Sequence, residues 1–181
     1  MFKTKAHTIL DPQGGRSMRI GLGRQIALAL LVLVALAVPM QAAAAEQLPF
    51  KASETGTSRL LGPCETGGLV LDVTGTGHAT QLGTYSSHYR ECFDPATGAV
   101  THGSFTLTAA NGDTVFGTYS GQVSPTADPN VIVYDDPGVI TGGTGRFAGA
   151  GGSVTQRGVA NLATGEYGGT LTGSVTSPAS A

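Results

Sequence analysis

The sequence predicts an exported all-β domain, an antiparallel up-and-down β-barrel of about eight strands. Three observations carry this expectation. Glycine is abundant, at 28 of 181 residues, while only 12% of residues are charged. Glycine serves turns, bulges and barrel corners, and the accompanying threonines fit a pleated surface. From Leu69 onward, short stretches of alternating apolar and polar residues are separated by turn-forming sequence. Beyond residue 45 no window sustains apolar residues at helical spacing.

The N-terminal region reads as a targeting segment. Met18 opens an ordinary short basic region, so residues 1–17 read as an upstream extension foreign to the native protein. Residues 18–45 have the three parts of a signal peptide: Arg19 and Arg24, the apolar run Ile26 to Val38, and small residues at Ala42 to Ala45. The apolar run is short of the ~20 residues a membrane-spanning helix needs. The mature chain is therefore expected to begin near Glu46, to retain no stable membrane anchor, and to be secreted or periplasmic after cleavage near Ala45.

The remaining elements follow in order. Residues 46–65 read as a polar arm, 66–176 as the barrel, and 177–181 as a frayed tail. Leu69 to Val73 is a strand with Leu69, Leu71 and Val73 on one face, and Thr84 to Cys92 is the next. Asp94-Pro-Ala-Thr-Gly98 is a turn. Ala99 to Ala109 sets Phe105 and Leu107 on one face against Ser104, Thr106 and Thr108 on the other. Asn111-Gly112 predicts a tight type I′ hairpin, with Thr114 to Val123 returning. Residues 124–130 form a loop, Val131 to Tyr134 a short strand, and Asp135 to Gly138 a turn. Val139 to Thr141 leads into a glycine-rich segment, and strands over about 151–160 and 165–176 complete the meander. Short turns and sequential strands suit a closed barrel better than a sandwich, because closure removes exposed edges.

Charge narrows the partners. Residues 46–181 carry five basic and eleven acidic side chains, a net of −6. No basic stripe exists to neutralise phosphates, which argues against nucleic acid and against an anionic membrane surface. Cys64 and Cys92, both in the exported part, are expected to pair. They are equidistant from His78, and a hairpin turning near Gly75 to His78 would set them opposite each other.

The segment Gly142 to Gly152, GGTGRFAGAGG, resembles the signature of the dirigent and allene oxide cyclase group of barrels. Members carry GGTG-x-F followed by small residues near a late strand. The upstream stretch Gly77 to Tyr85, GHATQLGTY, resembles exported bacterial relatives of that group. The resemblance spans about residues 66–176 and rests on one specific motif. It implies an eight-stranded antiparallel barrel with a central cavity and, as in the plant members, a homotrimer. That group places arginines within and after its F-x-G-A run, where this sequence has Ala148 and Gly151, so the plant reactions do not carry over. Gly142, Gly143, Gly145, Phe147 and Gly149 are instead read as structural: the glycines bend the chain at a barrel corner and Phe147 plugs the barrel end.

Other candidate sites are few. Glu91 shares a strand face with Tyr85 and Tyr89. If that face points inward, Glu91 is a carboxylate in an aromatic cavity with a raised pKa, and these three are the weak catalytic candidates. His78, His88 and His102 fit no metal-ligand spacing. Asp128, Asp135 and Asp136 could bind a hard cation through oxygen, but both clusters precede proline, and Asp-Pro is ordinary turn chemistry. The spacing Gly143-x-Gly145-x-x-x-Gly149 lacks the following helix a phosphate loop requires. No metal and no cofactor is called for by any motif. The expected function is a non-catalytic binding or structural barrel with a cavity for a small apolar ligand. The alternatives are a dirigent- or cyclase-like enzyme steering a reactive intermediate, and a surface interaction module using a threonine-rich outer face. An inward cluster of tyrosine, histidine and glutamate would favour the enzyme.

Overall fold

The computed structural model describes residues 46–177; the expected upstream extension, signal peptide and cleavage site lie outside them, as does nearly all of the expected tail. Eight strands run in chain order: β1 (Glu46–Pro63), β2 (Leu69–Ala79), β3 (Gly83–Phe93), β4 (Ala99–Ala109), β5 (Thr114–Pro125), β6 (Val131–Gly143), β7 (Gly152–Asn161) and β8 (Glu166–Ser177). Each pairs antiparallel with the next, and β1 pairs with β8 to close the barrel. Among the described residues the one helical element is a 3₁₀ turn, Gly145–Phe147, between β6 and β7. No helix among the described residues is long and apolar enough to cross a membrane.

The first correction concerns the expected polar arm. Residues 46–63 form the longest strand, and β1 closes the barrel. Phe50, Ala52 and Glu54 alternate inward while Lys51, Ser53 and Thr55 face out. An acid at the third inward position hides this period of two from a hydrophobicity reading. The barrel therefore begins at Glu46 and not at residue 66.

Three expected turns also move. Gly75 to His78 lies within β2, and the β2–β3 hairpin turns at residues 80–82. Asp135 to Gly138 is not a turn, because β6 runs through it. The ladder to β5 passes from Tyr119–Gly138 to Gln122–Asp135 with no pair between. Pro137, which has no N–H to offer, occupies that gap. At Asn111-Gly112 only Gly112 has positive φ, +87°. The connection is therefore a wider loop than a type I′ turn; Asn111 Oδ1 accepts the Asp113 amide at 3.1 Å. The glycine-rich motif straddles an element boundary: Gly142 and Gly143 end β6, whereas Gly145 (φ +58°) and Gly149 (φ +75°) shape the turn that follows.

Strand alternation divides the interior into layers. The end holding the β2–β3, β4–β5 and β6–β7 connections is packed with apolar side chains. Phe50, Leu107, Val115 and Val175 are fully buried there, in one cluster with Leu82, Ile140 and Phe147. Burying each such side chain contributes about 1.5–3 kcal/mol. Arg146 caps this end from outside. Its guanidinium lies 5.0 Å from the Phe147 ring centroid, donates to the Gln81 carbonyl at 3.0 Å and approaches Asp113 at 3.5 Å. The opposite end, holding the β1–β2, β3–β4, β5–β6 and β7–β8 connections, is pinned by the Cys64–Cys92 disulfide, with Cα atoms 6.0 Å apart. The predicted pairing holds, although Cys64 follows β1 in the connection to β2 and does not sit in the predicted hairpin.

Candidate functional site: an open cavity over an acid–phenol floor

The barrel interior is open at the disulfide end as a cavity of about 530 Å³. Its walls are mainly aliphatic and include Leu69, Leu71, Val73, Val100, Val123 and Ile132. Leu60 and Leu162, 60% and 56% exposed, also border it and give the mouth an apolar rim. The expected apolar cavity thus exists, but its deeper part is polar.

Glu54 on β1 lies below that cavity, 4% exposed. It collects four donors: the Tyr89 hydroxyl at 2.7 Å, Gln156 Nε2 at 2.6 Å, the Tyr85 hydroxyl at 3.0 Å and the Tyr167 hydroxyl at 3.3 Å. These come from β3, β7 and β8, so one carboxylate ties together four strands. Burial pushes its pKa up, and the hydrogen bonds from Tyr89 and Tyr85 partly oppose this. Tyr89, Tyr167 and Gln156 line the cavity and turn their polar ends down to Glu54, forming the floor.

Room for these rings comes from glycine. A Cβ at Gly75 would collide with the Tyr167 hydroxyl, and one at Gly158 or Gly169 with the Tyr134 hydroxyl. The abundance of glycine inside the strands therefore serves packing as well as turns.

The second polar group lies on β3, β5 and β6. The Tyr119 hydroxyl donates a short hydrogen bond to Glu91 Oε2. The Tyr119 ring meets Tyr89 edge-on at 6.0 Å and Phe105 at 6.4 Å. Asp136, 6% exposed, stands opposite Gln156 on β7. Its Oδ1 and the Tyr134 hydroxyl, two residues apart on β6, have no hydrogen-bond partner among the described residues. Burial pushes the Glu91 carboxyl up, with Tyr119 opposing. Burial, and then the charges of Glu91 and Asp135, push Asp136 up to about 7, with the Gln122 backbone easing it slightly. Burial also raises Tyr119 and Tyr134, so both phenols stay protonated.

The sequence-derived candidates fall on two sides of this site. Tyr85, Tyr89 and Glu91 do face inward together, but Glu91 is bonded to Tyr119, while Tyr85 and Tyr89 serve Glu54. The aspartates Asp135 and Asp136 face opposite ways: Asp135 is on the outer surface with Arg157 at 2.9 Å, and Asp136 is inside. They cannot share a cation with each other, and Asp128 Oδ1 accepts the Asn130 amide in the β5–β6 loop. His88 binds Asp72 at 2.7 Å on the outer face, where Arg59 also holds Asp72 at 2.9 Å, and these partners keep the Asp72 pKa low. His102, at φ +54°, marks a bulge in β4 opposite β5. No group of three metal-ligating side chains forms among the described residues. Gly142, Gly143, Gly145, Phe147 and Gly149 lie at the closed end, away from the cavity.

Sequence reasoning missed Glu54, Tyr119, Tyr134, Gln156 and Tyr167, and read Asp136 as a turn residue. Glu54 was readable from the Phe50-Ala52-Glu54 alternation, once that segment is taken as a strand. Asp136 was hidden by the Asp-Asp-Pro-Gly spelling of a turn.

Comparison with known proteins returned no matching family model, no similar curated protein and no similar solved structure.

Proposed function

We propose that the domain is an exported binding barrel that admits a small, largely apolar molecule through its disulfide end. One observation carries this reading: a cavity of about 530 Å³ with mainly aliphatic walls and a leucine rim, above the acid–phenol floor that separates it from the sealed apolar end. Cavities of this size and character commonly hold small ligands. A disulfide in the described domain is consistent with a non-cytoplasmic location, and we propose export by the segment 18–45. Sequencing the N-terminus of exported protein should find a chain starting near Glu46; retention of Leu31 to Val38 would refute it. We also propose, on the GGTGRF segment, a relationship to the dirigent and allene oxide cyclase group and a trimeric assembly; native mass spectrometry tests the trimer.

The binding reading is tested with a neutral fluorescent probe, N-phenyl-1-naphthylamine. It should bind saturably at one site, and Val73→Trp, which fills the cavity, should abolish binding. Absence of saturable binding, or indifference to Val73→Trp in a folded variant, would overturn the proposal.

A second reading is favoured by a separate observation. Glu91, Asp136 and Tyr119 place two carboxyl groups of raised pKa beside a phenol in a cavity with mainly aliphatic walls. Such groups can accept or return a proton where charge develops. In this reading the barrel is a cyclase-like catalyst, and Glu91→Gln abolishes conversion of a bound substrate without loosening its binding.

A further inference from the structure

The residues that line the cavity carry charge of one sign. Asp136 and Glu91 reach it directly, and Glu54 lies just beneath the floor. Arg59 is the only basic residue on the lining. Its guanidinium is on the outer face, donating to Asp72 at 3.0 and 2.9 Å. Glu54 is answered by its four donors, and Glu91 by Tyr119. Asp136 Oδ1 has no side-chain partner of this kind and fills the space that a side chain at Gly121 would take on β5, whereas the Tyr134 hydroxyl, also unpartnered among the described residues, leans the other way over Gly158 and Gly169. Only the Gln122 backbone eases this carboxylate, and slightly, so its ionised form is costly in the folded protein.

Resting on the binding-barrel reading above, we propose that the ligand is a protonated organic amine. Its ammonium group sits between Asp136 and Glu91, and its apolar body lies along the aliphatic wall toward the mouth. A primary ammonium has three N–H donors, enough to serve both the Asp136 and the Glu91 carboxyl groups. The rings of Tyr119, Tyr134 and Tyr89 surround that position and offer π faces to a cation. An anionic ligand would meet two carboxyl groups and no cation. A neutral alcohol would satisfy one acceptor and leave the paired charges unrelieved. Binding of the cation favours the ionised forms of Asp136 and Glu91, so it releases protons in the range where Asp136 titrates. The charged and titratable groups facing this position are Glu91 and Tyr89 from β3, Tyr119 from β5, Tyr134 from β6, Tyr167 from β8 and Glu54 from β1. All of these are acids, so a rise in pH strengthens the attraction.

The test uses three probes of one shape on the exported full-length protein: 2-naphthylmethylamine, 2-naphthylmethanol and 2-naphthoic acid, titrated calorimetrically. The amine should bind at least about tenfold more tightly than the alcohol at about pH 8, and the acid should not bind. Amine affinity should rise about tenfold between about pH 6 and about pH 8, as an Asp136 carboxyl titrating near 7 ionises. Alcohol affinity should stay flat. Asp136→Asn, checked for folding by its thermal melt, should erase the preference while retaining the alcohol, and Glu91→Gln should weaken the preference. Equal binding of amine and alcohol, or a preference that survives Asp136→Asn, overturns the amine proposal and leaves the cavity reading standing. If neither these probes nor N-phenyl-1-naphthylamine bind, the cavity reading falls and the amine proposal falls with it.

Discussion

Asp136→Asn should make the ligand-free protein more stable at neutral and alkaline pH. The side chain is 6% exposed and its Oδ1 has no partner among the described residues. Its pKa is raised from an ordinary 3.8 to about 7, first by burial and then by Glu91 and Asp135. A carboxyl raised in the folded state favours folding while protonated, and that advantage disappears as pH rises through the folded value. Above about pH 7 the ionised form therefore costs the fold up to about 4 kcal/mol relative to pH below about 3.8. Asparagine keeps the shape and removes the charge, but its amide also needs partners, a penalty of about 1–3 kcal/mol. The net gain at about pH 8 should be about 1–3 kcal/mol, or roughly 3–10 °C in Tm for a domain of this size. At about pH 4 the parent is protonated at this position and the gain should vanish. Parallel thermal melts by circular dichroism across that range make the measurement. A variant that melts no higher than the parent at about pH 8 would refute the argument. A gain that is the same at both pH values would trace it to packing and not to charge.

The other predictions address the remaining supports. Phe147→Ala should lose about 3–5 kcal/mol, the usual cost of emptying a core phenylalanine, because the ring is 4% exposed in the sealed end; urea titration checks this, and a parent-like midpoint would exclude a packing role. Replacing Cys64 and Cys92 together by alanine should cost about 3–4 kcal/mol, since the bridge closes a separation of 28 residues; chemical denaturation of the oxidised parent and the double variant compares them. Tyr89→Phe removes the 2.7 Å donor to Glu54 and should cost about 1.5–3 kcal/mol at neutral pH. That cost should shrink in acid as Glu54 protonates, which melts at two pH values will show.

The architecture was legible because its two main signals are local. Alternation such as Phe105 and Leu107 against Thr106 and Thr108, and turn sequence such as Asp94 to Gly98, report strand and loop one element at a time. The disulfide was legible from cysteine number and the expected compartment. The interior was much less so, because inward-facing depends on register around a closed sheet. Tyr85, Tyr89 and Glu91 were recognised as one face, but their partners Glu54 and Tyr119 come from β1 and β5, and no local pattern links those positions. Asp136 was misread for a different reason. Asp-Asp-Pro-Gly spells a turn in isolation, and only the gap in the β5 ladder makes it acceptable within a strand. Polar side chains inside a strand also erase the apolar alternation by which strands are recognised, so the segments that build the site are the hardest to read.

The pairing that closes the barrel has a consequence for how the chain reaches its native state. Glu46 lies opposite Ser177, so the domain's first and last strands are neighbours although nearly the whole domain separates them in sequence. Every other neighbouring pair is joined by a short connection, so this seam is the only one that must wait for distant chain to arrive, and loop-closure entropy makes it the slowest to form. Until it forms, Glu54 lacks Gly169 across the ladder and Tyr167 above it, and β1 and β8 both present open edges. A rearranged gene that carries β1 after β8, joined by a few flexible residues, would turn this seam into an ordinary hairpin and move the distant closure to the β1–β2 pairing. The permuted protein should reach the same final barrel with a different pair of strands closing last.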